Sequence, residues 1–488
     1  MNYYSRIITY ISTLESKKLL FGIFASSILL CIFAGIATAQ YAIIGLPIAL
    51  VVVYFSVVDF RKVYFLLICM LPFSIETEIG SFGTDLPTEP LMWLLMGVYM
   101  LHVLQRGVHI RVAVLLHPIT LLLLSHIGWI IVAAITSSNP FVSFKFLIAK
   151  SWYIVVFYFL TAHIIKTWQD VRTLFWCVAI PLLITIMITM VRHASYDFSF
   201  SDINRACWPY FRNHVSYAAM MAALFPYFWL NTFKQRRWSR QWWCMIAVLL
   251  LLLVAIQLSY TRAAYAALLI AGGAYFVIKY RATRLVLAGV LVGAIVGTGY
   301  LYHKNNYLDF APDYTKTVTQ ENFNDLLSAT AKGEDISTME RIYRWVAGSQ
   351  MIKAKPFMGF GPGNFYDYYK AYTVSNFKTY VSDNPEHSGI HCYYLMTFVE
   401  QGIIGLIIFV CFCFYVLIRG ERIYHATTDP QRKSIVMTVL LSSIIIFCIL
   451  LINDMLETDK IGSFFLINIA ILFNMDLGNN KQSRLSKV

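Results

Sequence analysis

The sequence predicts an all-α polytopic membrane protein with about 12 to 14 transmembrane helices and one long, largely helical external loop. Three observations carry that prediction. The chain of 488 residues is 58% hydrophobic and only 13% charged, far from the composition of a water-soluble domain. Apolar stretches long enough to cross a bilayer recur along most of it. Basic and acidic residues alternate between the connections that join those stretches.

In chain order, the apolar stretches fall near 19–37, 41–58, 63–73, 91–104, 112–135, 146–165, 174–191, 215–230, 242–258, 263–278, 285–301, 391–418, 435–452 and 461–475. The third and fourth are short, and a broken or re-entrant segment is expected there. The first is read as a retained span rather than a signal peptide despite "ATA" at 37–39, because its apolar run is long and another span follows at once.

Charge placement orients the segments, because short cytoplasmic loops collect Lys and Arg. With the N-terminus inside, the inner connections are "DFRK" (59–62), "QRGVHIR" (105–111), "KTWQDVR" (166–172), "KQRRWSR" (234–240), "KYRATR" (279–284), "RGERIYH" (419–425) and the tail "KQSRLSK" (481–487), all basic. The outer ones "ETEIGSFGTDLPTE" (76–89) and "NDMLETD" (453–459) are acidic. Both termini are therefore expected in the cytoplasm. The formal net charge of +13 is largely this topology signal, and no basic, aromatic nucleic-acid-reading motif accompanies it. The nine cysteines show no metal-ligand spacing and read as packing residues. Cys207 and Cys392, both near the outer face, are the one pair that could meet.

Basic residues on the outer side break the rule and ask for an anionic partner. Arg192, Arg205 and Arg212 lie in the outer loop 192–214, and Arg262 opens the span after "SYT" (259–261). The longest hydrophilic stretch, 302–390, has enough residues for a small subdomain. The chain thus divides into N-terminal transmembrane helices (1–301), a loop subdomain (302–390), C-terminal transmembrane helices (391–478) and a basic tail (479–488). Within the loop, 336–357 reads as an amphipathic helix, N-capped by Ser337 or Thr338 and ended by Pro356, with Arg341 and Trp345 on one face. "MGFGPGNF" (358–365) follows; Gly361 and its neighbours suggest a tight turn whose amides either approach an anion or serve the fold alone.

The loop ends in "HCYYLMTFVEQGIIGL" (391–406). An ionisable group in an apolar helix is costly and faces protein or a wet cavity. If the helix begins at His391, then His391, Leu395, Phe398, Gly402 and Gly405 form one stripe, and the two glycines let a neighbouring helix approach. Glu400 lies nearly opposite and reads as a residue that bonds another helix. Lys145 and Lys150 read as snorkelling residues, with anion binding the other possibility.

Together these residues describe a site. Outward arginines form charge-assisted hydrogen bonds to phosphate oxygens, and a histidine takes a proton from a hydroxyl. The outer loops hold no DxD-like carboxylate pair, so arginine rather than a divalent metal is expected to stabilise departing charge; no cofactor is expected.

The motifs resemble those of the O-antigen ligase and polymerase family, membrane enzymes that transfer bacterial surface glycans from undecaprenyl pyrophosphate. Residues 391–406 are similar to the family's His-x-x-Tyr-Leu, Glu-x-Gly, Gly-Leu signature, with Cys392 where Asn or Ser is usual. "SYTRAAYAAL" (259–268) resembles its Ser-x-Ser-Arg-Gly segment, 341–365 its Arg, Trp, Pro and Gly-x-Gly-x-x-Phe loop, and 205–218 a looser Arg, Gly, Asn-Pro-Asn segment in which Asn213-His214 replaces the triplet. The resemblance implies a metal-independent, inverting transfer at the periplasmic face of the bacterial inner membrane. His391 is then the base, and Arg262, Arg205 and Arg341 surround the pyrophosphate, with Arg212 and Arg344 competing for the last two places. Glu400, Trp345, Gly361, Gly402 and Gly405 take supporting roles.

The partners implied are an undecaprenyl-pyrophosphate-linked glycan as donor, lipid A core or another glycan as acceptor, and membrane lipids. O-antigen ligase is the reading adopted; a polymerase or an O-oligosaccharyltransferase would use the same donor chemistry. A lipid-linked glycan flippase, the non-enzymatic alternative, calls for repeated halves and charges spread through the membrane interior.

Overall fold

The computed structural model describes residues 21–39, 42–79, 82–105, 112–310, 336–378, 382 and 388–485. Its first helices are α1 (Phe21–Ala37), α2 (Ala42–Val58) and α3 (Phe60–Met70), followed by a hairpin of β1 (Ile75–Ile79) and β2 (Phe82–Leu86). Then come α4 (Thr88–Gln105), α5 (Pro118–Ile135), α6 (Pro140–Ile164), α7 (Trp168–Ala194), α8 (His214–Thr232), α9 (Arg240–Leu258), α10 (Arg262–Lys279) and α11 (Thr283–Tyr302). The amphipathic α12 (Ile336–Ala354) precedes the last three helices, α13 (Tyr393–Ala426), α14 (Pro430–Ile449) and α15 (Asp459–Leu485).

Among the described residues, nine helices are long and apolar enough to cross a membrane, with three shorter apolar helices beside them, at 21–37, 45–58 and 88–104. The protein is an all-α polytopic membrane protein. Its third apolar stretch is short because α3 is followed at once by the turn Leu71–Phe73 and the hairpin. The hairpin is antiparallel, with Glu76 opposite Asp85.

Loops assigned to the same side of the bundle meet each other, as an alternating topology requires. At one end Arg61 pairs with Asp170, Glu421 accepts from the Thr283 hydroxyl at 2.5 Å, and His425 reaches the Ile278 carbonyl at 2.9 Å. At the other, Arg212 lies 4.0 Å from Glu76, while Thr88 donates to Asp459 at 3.1 Å.

The core runs through α8, α14 and α15. α8 carries Ala218, Ala219, Ala222 and Ala223, all fully buried, and these small side chains let α14 pack closely against it. α11 sits at the other extreme, with none of its apolar window buried.

A second, smaller core gathers Tyr343, Ala347 and Met351 of α12 with Phe360, Tyr369, Phe377, Ile390 and Val399. It joins the loop region to α13. The join depends on a break in α13 at Gly402, where φ is +68° and ψ −174°. The break frees backbone groups that an unbroken helix would pair internally, and a buried backbone group must find another partner. The preceding glycine-rich loop supplies them: the Phe360 and Gly361 amides donate to the carbonyls of Val399 and Glu400, and the Ile403 amide donates to that of Pro356, each at 2.9 Å. A Cβ at Gly402 would collide with the Phe357 carbonyl, and one at Gly359 with the Glu400 carbonyl.

Three expectations change here. His391 is not on the helix: its φ is +56°, and α13 begins two residues later, so the stripe from His391 to Gly405 does not exist as one helical face. Gly402 admits a loop rather than a neighbouring helix, although a Cβ at Gly405 would come within 3.1 Å of Trp129 on α5. Ser337 and Thr338 lie inside α12, so neither is its N-cap. The cysteines, Cys207 and Cys392 among them, are free thiols, so the pair that could meet is not bonded.

Candidate functional site

His391 stands at the junction of the loop region and α13, and its backbone is held from several directions. The Trp345 indole N–H donates to the Ile390 carbonyl at 3.0 Å. Arg344 Nη1 donates to the Gly389 carbonyl at 3.2 Å, and the Tyr393 amide donates to the Leu450 carbonyl at 2.9 Å. Asp454, in the turn before α15, accepts the backbone N–H of His391 and lies so close to Gly389 that a Cβ there would displace its carboxylate. A non-glycine residue at positive φ is disfavoured, and such residues persist where the surroundings over-determine them.

Arg341 and Trp345, one turn apart on α12, share the work. Trp345 fixes the backbone, and the positive charge of Arg341 acts on the His391 ring. Burial, then Arg341 and Arg344, lower the imidazole pKa to about 3, so His391 is neutral at neutral pH. Asp454 is shifted the other way, raised by burial even though Arg344 and Arg212 pull it down.

The arginines divide into two groups. Arg344 is internal: buried, 3.4 Å from Glu340 and bonded to the Gly389 carbonyl. Arg192 is structural too, its guanidinium bonded to the carbonyls of Trp208 and Arg205, which removes it from the set needing an anionic ligand. Arg205 and Arg212 remain largely exposed, Arg205 lying 3.8 Å from Asp202 and near the Tyr196 ring. Arg262 is the first residue of α10, and Thr261 before it donates to the His214 carbonyl at 3.3 Å, bringing the starts of α10 and α8 together. Arg341 acts electrostatically on His214 as well as His391. Arg341 is thus the common neighbour of His391 and His214, while Thr261 ties the start of α10, where Arg262 stands, to the His214 backbone.

The glycine-rich turn does not offer its amides to a ligand. Besides the two bonds to α13, the Gly359 amide is bonded to the Lys355 carbonyl at 3.2 Å, and Asn364 to that of Gly361 at 3.2 Å. The Phe365 amide donates to Glu400 Oε1 at 3.1 Å, and the Gly363 amide also reaches that carboxylate. The group these amides meet is the protein's own Glu400 side chain. Glu400 therefore bonds a loop, not another helix. At Gly361, φ is +103°, and a Cβ would overlap Ser137.

Lys150 is buried rather than snorkelling. It donates to Glu457 at 2.7 Å, and the Tyr393 hydroxyl donates to the same carboxylate oxygen at 2.6 Å. This network pins the first residue of α13. Asp454 and Glu457 both come from the acidic loop 453–459, which the sequence offered only as a topology marker. Asn204 and His214 also escaped notice; the sole signal was that Asn213-His214 stood in place of a motif. Among the described residues, no group of three or more His, Cys, Asp or Glu side chains could hold a metal ion.

A search among curated proteins returns no match. Residues 246–410 match the family model described as O-antigen ligase, a range that includes Arg262, Arg341, Trp345, Gly361, His391 and Glu400 and leaves out Arg205, Arg212 and His214.

Proposed function

We propose that this chain, whose residues 246–410 match the O-antigen ligase family model, transfers a glycan from undecaprenyl pyrophosphate to an acceptor hydroxyl, with lipid A core as the acceptor. The observation that carries this reading is the placement of a neutral, backbone-locked His391 beside Arg341. A neutral imidazole can accept the proton of an attacking hydroxyl, and a guanidinium can take the charge that develops on a departing phosphate.

The acceptor oxygen attacks the anomeric carbon of the donor sugar as His391 removes its proton. The bond from that carbon to the pyrophosphate oxygen breaks on the opposite face, inverting the centre, and its electron pair leaves with undecaprenyl pyrophosphate. Arg262 and Arg341 hold the pyrophosphate, with Arg205 and Arg212 at the exposed edge. Arg344 is already committed to Glu340 and Gly389, and its role is to hold the His391 backbone. Donor binding also tunes the base. Arg341 and Arg344 disfavour a protonated His391, and a bound pyrophosphate offsets their charge, making the imidazole more basic when the donor is present. In a cell, this assigns the reaction to the periplasmic face of the inner membrane, with both termini cytoplasmic.

The test uses purified protein in detergent with a defined undecaprenyl-pyrophosphate glycan, separately supplied acceptors, and EDTA. The expected result is glycan attached to lipid A core, release of undecaprenyl pyrophosphate, and loss of both in a folded His391→Ala variant. Joining of donor glycans without lipid A core means a polymerase, and transfer to a protein hydroxyl an O-oligosaccharyltransferase. No turnover with any acceptor, alongside movement of lipid across vesicles, overturns the enzyme reading in favour of a flippase.

A further inference from the structure

His214 lies outside the matched family region and carries no role in the transfer described above. Its surroundings are nevertheless built. Asn204, on the single turn Ile203–Cys207, uses one oxygen to accept two hydrogen bonds from it, from the backbone N–H at 2.9 Å and from ring Nδ1 at 2.8 Å. The backbone bond identifies that atom as the carboxamide oxygen, because an amide NH2 cannot accept. Nδ1 must then carry the proton. The neutral ring has only a lone pair at Nε2 and can accept there but not donate. Two further contacts fix the residue: Asn213 caps α8 by accepting from the Ser216 amide at 2.9 Å, and Thr261 bonds the His214 carbonyl. Phe200 packs edge-on against the ring, with centroids 6.2 Å apart.

The charge that acts on His214 is that of Arg341 from α12; Arg262 follows Thr261, which bonds the His214 carbonyl, and the Asp202–Arg205 pair lies on the turn that carries Asn204. Arg341 is the neighbour that His214 shares with His391. If Arg341 holds the pyrophosphate, the sugar attached to it enters the same part of the fold as His214.

We propose that His214 is a donor-positioning residue whose Nε2 accepts a hydrogen bond from a hydroxyl of the first donor sugar, with Asn204 holding the ring in the tautomer that can do so. This rests on the glycosyl-transfer reading above. It divides the work between two imidazoles: His391 takes the acceptor's proton, and His214 orients the donor.

The experiment measures kcat and KM for donor with wild type, His214→Ala, His214→Gln and Asn204→Asp, checking each variant's thermal unfolding in detergent. A series of donors, each lacking one hydroxyl of the first sugar, is run alongside. Losing one neutral hydrogen bond corresponds to a fall of roughly threefold to tenfold in kcat/KM for donor. His214→Ala is expected to show it, chiefly in KM, and Gln, which keeps an acceptor oxygen, to recover part of it. One monodeoxy donor should suffer the same loss with wild type and no further loss with His214→Ala.

Asn204→Asp supplies a readout that a merely structural histidine would not give, and it stands even if His214→Ala fails to fold. A carboxylate at 204 favours the imidazolium, whose Nε2 donates instead of accepting, so activity should fall as pH drops through the raised pKa. Unchanged donor kinetics in His214→Ala, additive losses with every deoxy donor, or an unaltered pH profile in Asn204→Asp overturns the proposal while leaving the transfer reading intact. An inactive wild type overturns both.

Discussion

The indole N–H of Trp345 reaches the carbonyl of Ile390 at 3.0 Å, so a side chain on α12 holds the peptide that precedes His391. Arg341, one turn earlier on the same helix, sets the charge around that histidine's ring. One helical turn thus controls both the position and the protonation of the candidate base.

Replacing Trp345 with Phe keeps the ring and removes the hydrogen bond. The expected result is a protein that unfolds near the wild-type temperature but transfers glycan roughly tenfold more slowly, since a misplaced base loses rate more than an absent bond loses stability. A matching drop in unfolding temperature and rate would instead make Trp345 a packing residue alone. Steady-state kinetics beside a thermal melt separates the two.

The pH dependence follows from the sign of the His391 shift. Its pKa in the free protein is about 3, and the base must be unprotonated, so kcat/KM for donor should show no acid limb from His391 between pH 7 and 5. The limb of kcat, which reports the donor complex, should lie at higher pH because the pyrophosphate offsets the arginine charges. Arg341→Gln removes one cation that disfavours imidazolium, and its kcat/KM limb should move upward. Rate profiles of both proteins on one donor decide this.

Glu400→Gln should fold and retain transfer, because a carboxamide oxygen still accepts from the Phe365 amide. Glu400→Ala leaves buried amides unpaired at a cost of roughly 1–3 kcal/mol and should lower the unfolding temperature. If Glu400→Gln is stable but inactive, the carboxylate takes part in the chemistry.

Gly402→Ala places a side chain at φ +68° against the Phe357 carbonyl, whereas a Cβ at Gly297 on α11 meets nothing within 4 Å. The first should be destabilised by about 1–3 kcal/mol or more, and the second should match wild type. Equal melting curves would mean that α13 and the loop 356–363 are not locked together as described.

By itself, the sequence determined the membrane class, the alternation of its loops, and the residues that carry charge against that alternation. These are properties of composition and periodicity, because hydrocarbon excludes unpaired polar groups whatever the tertiary arrangement. It also singled out His391, Arg262 and Arg341 through local patterns. Tertiary structure alone decided what each residue does with its charge. Arg344 turns inward to Glu340 and Gly389 while Arg341 faces two imidazoles, although the two are neighbours on one helix. Glu400 meets the Phe365 amide 35 residues upstream, Asp454 reaches the His391 backbone from beyond α14, and the backbone freed where α13 breaks at Gly402 pairs with the glycine-rich loop. Such partners are distant in sequence, and helical spacing carries no information about them.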